Sequence, residues 1–126
     1  MKGEIRSFED LDVYRKLCEL NLEICELSLG FPKFELYELG SQIRRSSNSI
    51  ASNLAEGWNN KHINIYLEGI NRAQAELQET KHHLYMAYRK KYVNEETYQE
   101  YFDKYCECGK MLRGLEQSLL KWKSKT

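Results

Sequence analysis

One string in this sequence has the spacing of a metal-binding helix, Glu79-Thr80-Lys81-His82. Four-helix bundles hold two iron atoms through a pair of such Glu-x-x-His motifs and two further glutamates. Here the string has no counterpart, because the other histidines, His62 and His83, are not preceded by glutamate at that spacing. His82 and His83 are adjacent and diverge by about 100° on a helix. Solvated or interface histidines are therefore expected, with no metal. The cysteines, Cys18, Cys25, Cys106 and Cys108, lie inside helical patterns, unlike those of disulfide scaffolds or zinc ribbons. Cys106 and Cys108 diverge, since two residues turn a helix by about 200°, so reduced, small core side chains are expected. No serine or cysteine occupies a glycine-flanked strand-to-helix elbow, and there is no glycine-rich phosphate loop. The sequence predicts no catalytic residue, no cofactor and no small-molecule substrate, and so a protein that is not an enzyme.

The unusual segment is polar: SQIRRSSNSIASNLAEG, residues 41–57. On a helical projection Gln42, Arg45, Ser49, Asn53 and Glu56 fall within an arc of about 80°, beside the apolar stripe and not opposite it. Polar groups that close to a core need partners. They form either a hydrogen-bonded seam against a neighbouring helix or subunit, or a ridge that contacts a ligand. Arg44 points away from the core on this projection and is the better candidate for an external contact.

Four amphipathic helices must carry these residues. The first is expected over 8–28, with Ser7 as cap, Asp10 in the capping-box position, and Val13, Leu17, Leu20, Ile24 and Leu27 at heptad spacing. Gly30 and Pro32 end it. The second spans about 34–56 with an irregular first turn, and Leu36, Leu39, Ile43, Ile50 and Leu54 form its stripe. Ser46, Ser47, Ala51 and Ala55 beside that stripe are small enough to let another helix approach closely. The third covers 60–91, with Ile63, Ile70, Leu77 and Leu84 at sevens, and the fourth covers 95–122 behind Asn94 as cap. Its stripe runs from Tyr98 through Tyr101, Tyr105, Cys108, Leu112, Leu115 and Leu119 to Trp122. Short connections between helices of this length make neighbours antiparallel. The expected fold is all-α, a single up-down-up-down four-helix bundle over residues 1–126.

Lys plus Arg and Asp plus Glu both total 19, so the formal net charge is zero and any nucleic-acid site must be local. No apolar run approaches the roughly 20 residues that cross a bilayer, and MKGEIRSFEDL lacks the apolar segment of a signal peptide. A cytoplasmic protein without membrane contact is expected.

An ordered set of residues carries a family resemblance. It comprises Phe8 and Leu11, Phe31-Pro32, Ser41-Gln42 with Arg44-Arg45, Ser49-Ile50, Asn53 with Ala55-Glu56-Gly57, and Glu76-Leu77 with Glu79-Thr80. The pattern resembles the bacterial four-helix-bundle family of ribosomal RNA intervening-sequence proteins and the accessory variability determinants of diversity-generating retroelements. That resemblance implies a barrel-like homopentamer and, for the accessory determinants, binding of nucleic acid and of a reverse transcriptase.

Antiparallel topology would gather Lys2, Arg6, Lys61, Lys121, Lys123 and Lys125 at one end of the bundle. These form either a phosphate-binding patch or the usual lysine complement to helix dipoles, matched by Glu95 and Glu96 at the far end of the fourth helix. On the third helix Arg72, His83 and Lys90 are expected to face outward, with Glu76 and Glu79 placed to pair with Arg72 and His83. Nine tyrosines and two tryptophans are more than four helices of this size comfortably bury, which points to self-association. The sequence thus suggests a non-enzymatic homo-oligomer that binds RNA or DNA, or a nucleic-acid-handling protein, through this end and Arg44. The alternative is a scaffold that binds only protein, which zero net charge favours.

Overall fold

The computed structural model describes residues 4–125; Lys2 lies outside them. Four helices follow one another: α1 (Asp12–Ser28), α2 (Leu39–Gly57), α3 (Ile63–Arg89) and α4 (Glu95–Ser124). Each packs on its neighbours in chain order, and α1 closes the ring against α4. Pairings across the interfaces fix the directions. Glu107 of α4 reaches Lys16 and Tyr101 reaches Glu23, so α4 descends as α1 rises. Ser46 meets Thr80 and Gly57 meets Gly69, so α2 and α3 are antiparallel in one continuous register, symmetric about Ile63. The expected up-down-up-down bundle is what forms.

Its core is the expected set of stripes. Leu17, Ile24, Ile43, Ile50, Leu54, Ile70, Leu84, Tyr105 and Leu112 are fully enclosed. Burying each large aliphatic side chain contributes about 2 kcal/mol, which drives assembly of segments that would not hold as isolated helices. One end of a stripe departs from expectation: Trp122 is 58% exposed. Helix length explains it, since the 30 residues of α4 make a rod of about 45 Å, against about 26 Å for the 17 residues of α1. The last turns of α4 have no α1 to lie on.

Three helix starts also fall later than the periodicity suggests. Residues Phe8–Asp10 form a separate 3-10 turn. There the Asp10 carboxylate accepts the Arg6 and Ser7 N–H groups at 2.8 and 3.2 Å, and Leu11 is extended. Likewise Lys33–Glu35 is a 3-10 turn, and α2 starts at Leu39, whose N–H donates to the buried Glu35 carboxylate at 3.3 Å. α3 starts at Ile63 because Asn59 has φ 53° and the Asn60 side chain accepts the His62 N–H at 2.9 Å, a turn that cannot be helical. The Asn94 side chain caps α4 as expected, accepting the Thr97 N–H at 2.8 Å.

The end of α3 is closed by Lys91 at φ 67°. The Tyr92 N–H reaches back to the Ala87 carbonyl and the Lys91 N–H to that of Tyr88, both at 2.9 Å, a pattern that glycine usually serves. Replacing Lys91 by Gly removes a left-handed conformation that costs a lysine roughly 1 kcal/mol. Lys91→Gly should therefore raise the urea midpoint; an unchanged or lower midpoint would contradict the strain.

Candidate functional site

The serine-rich block of α2 divides differently from its projection. Arg44, expected outside, is half-buried: its guanidinium donates to Ser28 Oγ at 3.0 Å and to the Leu36 carbonyl at 2.7 Å. It ties the α1–α2 connection to α2. The later start of α2 is the cause, because the folded-back turn ahead of it covers a face that a longer helix would leave in solvent. Its neighbour Arg45 is the exposed one, as are Gln42 and Glu56. Ser49 and Asn53 are half-buried, and Asn53 Nδ2 donates to the Ser49 carbonyl of its own helix at 2.8 Å. No hydrogen bond joins this stripe to another helix among the described residues. The interhelical polar seam lies one step around the helix. Buried Ser46 accepts from Thr80 at 2.8 Å, and buried Ser47 donates to Asn21 at 2.8 Å. Close approach permits both, as the small side chains suggested.

Lys123 Nζ donates to Asn64 Oδ1 at 2.6 Å, which pins the last turn of α4 to the first turn of α3. Lys61, Lys121 and Lys125 are exposed around this contact. Arg6 is exposed too, 3.8 Å from Glu4. On α3, Arg72 pairs with Glu68 at 3.1 Å and not with Glu76, and His83, expected to face outward, is mostly covered beside Glu79. Lys90, just past the helix end, is exposed as expected and reaches Glu35 at 3.0 Å. Sequence reasoning also missed Lys81, Lys110 and Arg113, which share the α3–α4 groove with Gln74 and Gln78. A signal was present. Positions 74, 78 and 81 share one face of a helix, as do 106, 110 and 113, and only the α3–α4 pairing brings the two faces together.

The groups that carry chemistry are individually quiet. Burial pushes the Cys108 thiol up to about 11 and raises the hydroxyl of Tyr105, which is fully enclosed and has no hydrogen-bond partner among the described residues. Neither is activated for proton transfer or attack. Burial lowers the His83 imidazole, the Glu79 carboxylate 3.9 Å away opposes that, and His82 lies beside it with ring centroids 5.4 Å apart. Among the described residues no cluster of three His, Cys, Asp or Glu is placed to hold a metal ion, and no helix is long and apolar enough to cross a membrane.

The family model described as 23S rRNA-intervening sequence protein matches residues 9–114. The chain belongs to that family. A similar solved structure is a protein with unknown function from the S23 ribosomal protein family of Bacteroides thetaiotaomicron VPI-5482. It superposes with a TM-score of 0.72 at 27% identity, covering 82% of this chain and 97% of that one. No curated protein matches. Much of what carried the family resemblance is structural in this intervening-sequence fold: Arg44 braces a loop, Thr80 bonds Ser46, and Gly57 admits α3.

Proposed function

We propose that this intervening-sequence protein is a non-enzymatic homo-oligomer that binds nucleic acid, RNA or DNA, through the lysine end of its bundle. It would do so directly or together with a nucleic-acid-handling protein such as a reverse transcriptase. The observation that carries the reading is the contact of Lys123 with Asn64, which brings Lys61, Lys121 and Lys125 to one end of a chain with zero net charge. The family's name, with its 23S rRNA, supports the same class of ligand. In an oligomer that modest patch is repeated, and repetition multiplies weak phosphate contacts. The exposed residues of the Gln42, Arg45, Ser49, Asn53 and Glu56 stripe are candidates for the contact between copies, five in number if the resemblance holds. Arg44, with its guanidinium engaged inside the chain, is withdrawn from the external set.

Retention of labelled single-stranded RNA or DNA should fall steeply with salt, the logarithm of affinity dropping about 0.7 per phosphate contact for each logarithm of salt. An assembled protein that binds neither at low salt would remove the proposal. A second reading, a scaffold that binds only protein, has its own support. At the end of the bundle opposite the lysines, Leu29, Phe34 and Tyr37 are exposed. Recovery of one reproducible protein partner after nuclease treatment would favour it.

A further inference from the structure

The grooves between neighbouring helices differ in charge. Along α1 and α4, Lys16 and Lys104 are outnumbered by Glu19, Glu23 and Glu107. Near the start of α1, Arg15 sits among Glu4, Asp10 and Asp12, and between α2 and α3, Arg72 faces Glu56 and Glu68. The α3–α4 groove, about 450 Å³, is the reverse: Lys81, Lys110 and Arg113 face the single carboxylate of Glu116. None of these three cations is in an ion pair among the described residues. In a chain without net charge, a channel in which cations outnumber carboxylates calls for an anionic occupant, even with Lys110 near enough to Glu107 to help hold its carboxyl down.

Above the channel lies an aromatic ladder. Lys81 Nζ sits 4.8 Å from the Phe102 ring, Phe102 adjoins Tyr98, and Tyr98 stacks on Tyr88 with centroids 4.9 Å apart and planes at 13°. Tyr85 is 6.0 Å from Tyr98 and 40% exposed; Arg89 is bonded to its hydroxyl at 2.8 Å and lies over the ring, 5.7 Å from the centroid, so a base stacking on Tyr85 would share or displace that guanidinium. From Tyr85 to Gln74 the α3 face runs about 16 Å. Cations along a groove with rings at its head are the combination that holds single-stranded nucleic acid, phosphates on the charges and bases on the rings. A duplex keeps its bases stacked inside and is too wide to enter between helices whose axes lie about 10 Å apart. An acidic peptide would satisfy the lysines but leave the rings unused.

We infer that the α3–α4 groove binds single-stranded nucleic acid, with Lys81, Lys110 and Arg113 on the phosphates and Tyr85 as a stacking platform. The inference rests on the nucleic-acid reading above and adds a strand preference to it, with the lysine end contributing phosphate contacts to single strands and duplexes alike.

The test measures anisotropy of labelled oligothymidylate, and of the matching duplex, on the full-length assembled protein. Wild type should prefer the single strand by about tenfold. Lys110→Glu with Arg113→Glu should abolish that preference, and Tyr85→Ala should weaken the single strand about fivefold or more through lost stacking. Lys121→Glu with Lys125→Glu should weaken both ligands together. Without any substitution, bound oligothymidylate should protect Cys106, which lines the groove, from alkylation while Cys18 on α1 keeps its rate. If wild type binds neither ligand, the nucleic-acid reading falls and takes the groove with it. If it binds both equally, or groove substitutions and Cys106 reactivity change nothing, the groove assignment is overturned and the nucleic-acid reading stands. Polyglutamate competing as well as oligothymidylate would also overturn it, in favour of an acidic protein.

Discussion

Gly69→Ala should destabilise the protein by about 2 kcal/mol, and Gly69→Leu by at least about 3 kcal/mol. The same exchange at Gly114 should stabilise it by up to about 1 kcal/mol. Both glycines lie within helices, where alanine is intrinsically favoured. A Cβ on Gly69 would sit 2.9 Å from the Asn53 carbonyl oxygen and 3.0 Å from the Gly57 Cα, all of it backbone that cannot swing aside. A Cβ on Gly114 meets nothing within 4 Å. At Gly69 the helix-propensity gain is outweighed because α2 and α3 must separate along their whole shared register to admit one methyl. Opening that register would also strain the bond from Thr80 to Ser46. Urea midpoints of the two alanine variants decide the matter. If both move in the same direction, the backbone contact between α2 and α3 is not what holds this hairpin.

That contact marks where sequence reasoning ran out. Periodicity found the four helices and their core, because large side chains recurring every three or four positions can leave water only if the helices lie side by side. It found Ser46 and Ser47 as permissive of close approach. It did not find Gly69, since a mid-helix glycine looks like a weak spot until the register shows it opposite Gly57. Trp122 was misplaced for a related reason: its spacing continued the stripe, but only comparison with the length of α1 reveals that no surface remains to cover it.

The candidate site was legible in outline and blurred in detail. Clustering of Lys61, Lys121, Lys123 and Lys125 followed from topology alone. Arg44 and Arg45 exchanged roles because a projection assumes a helix from residue 34, whereas the chain turns back at Lys33–Glu35 and brings Ser28 and the Leu36 carbonyl to Arg44. Lys81, Lys110 and Arg113 belong to different helices, and their common groove exists only once α3 and α4 are paired. Sequence distance hides such sites.

The same turn holds a buried carboxylate that should set the acid limit of stability. Glu35 is 3% exposed. Its Oε2 accepts the Tyr92 hydroxyl at 2.7 Å and Lys90 Nζ at 3.0 Å, while Oε1 accepts the Leu39 N–H at 3.3 Å. One side chain therefore caps α2 and clasps the α1–α2 connection to the α3–α4 connection. The Tyr92 hydroxyl first, then the Lys90 ammonium, hold its carboxyl below the usual 4.5. A depressed folded-state value means that the stabilisation is complete above the unfolded value and is lost as pH falls through the folded one. Glu35→Gln keeps the shape and removes the charge, so at neutral pH it should cost about 2 kcal/mol, the usual worth of hydrogen bonds to a charged group. As pH drops below 4.5 and through the folded value, wild type becomes neutral at this position as well and the gap between the two proteins should close. Comparing the pair subtracts the acid titration of Asp10 and Glu107, whose carboxyls are also depressed, by Arg6 and Ser7 backbone bonds and by Lys16 respectively. Paired urea titrations from pH 7 to pH 3 give the answer, and a gap that stays constant over that range would mean the charge of Glu35 does not hold the two connections together.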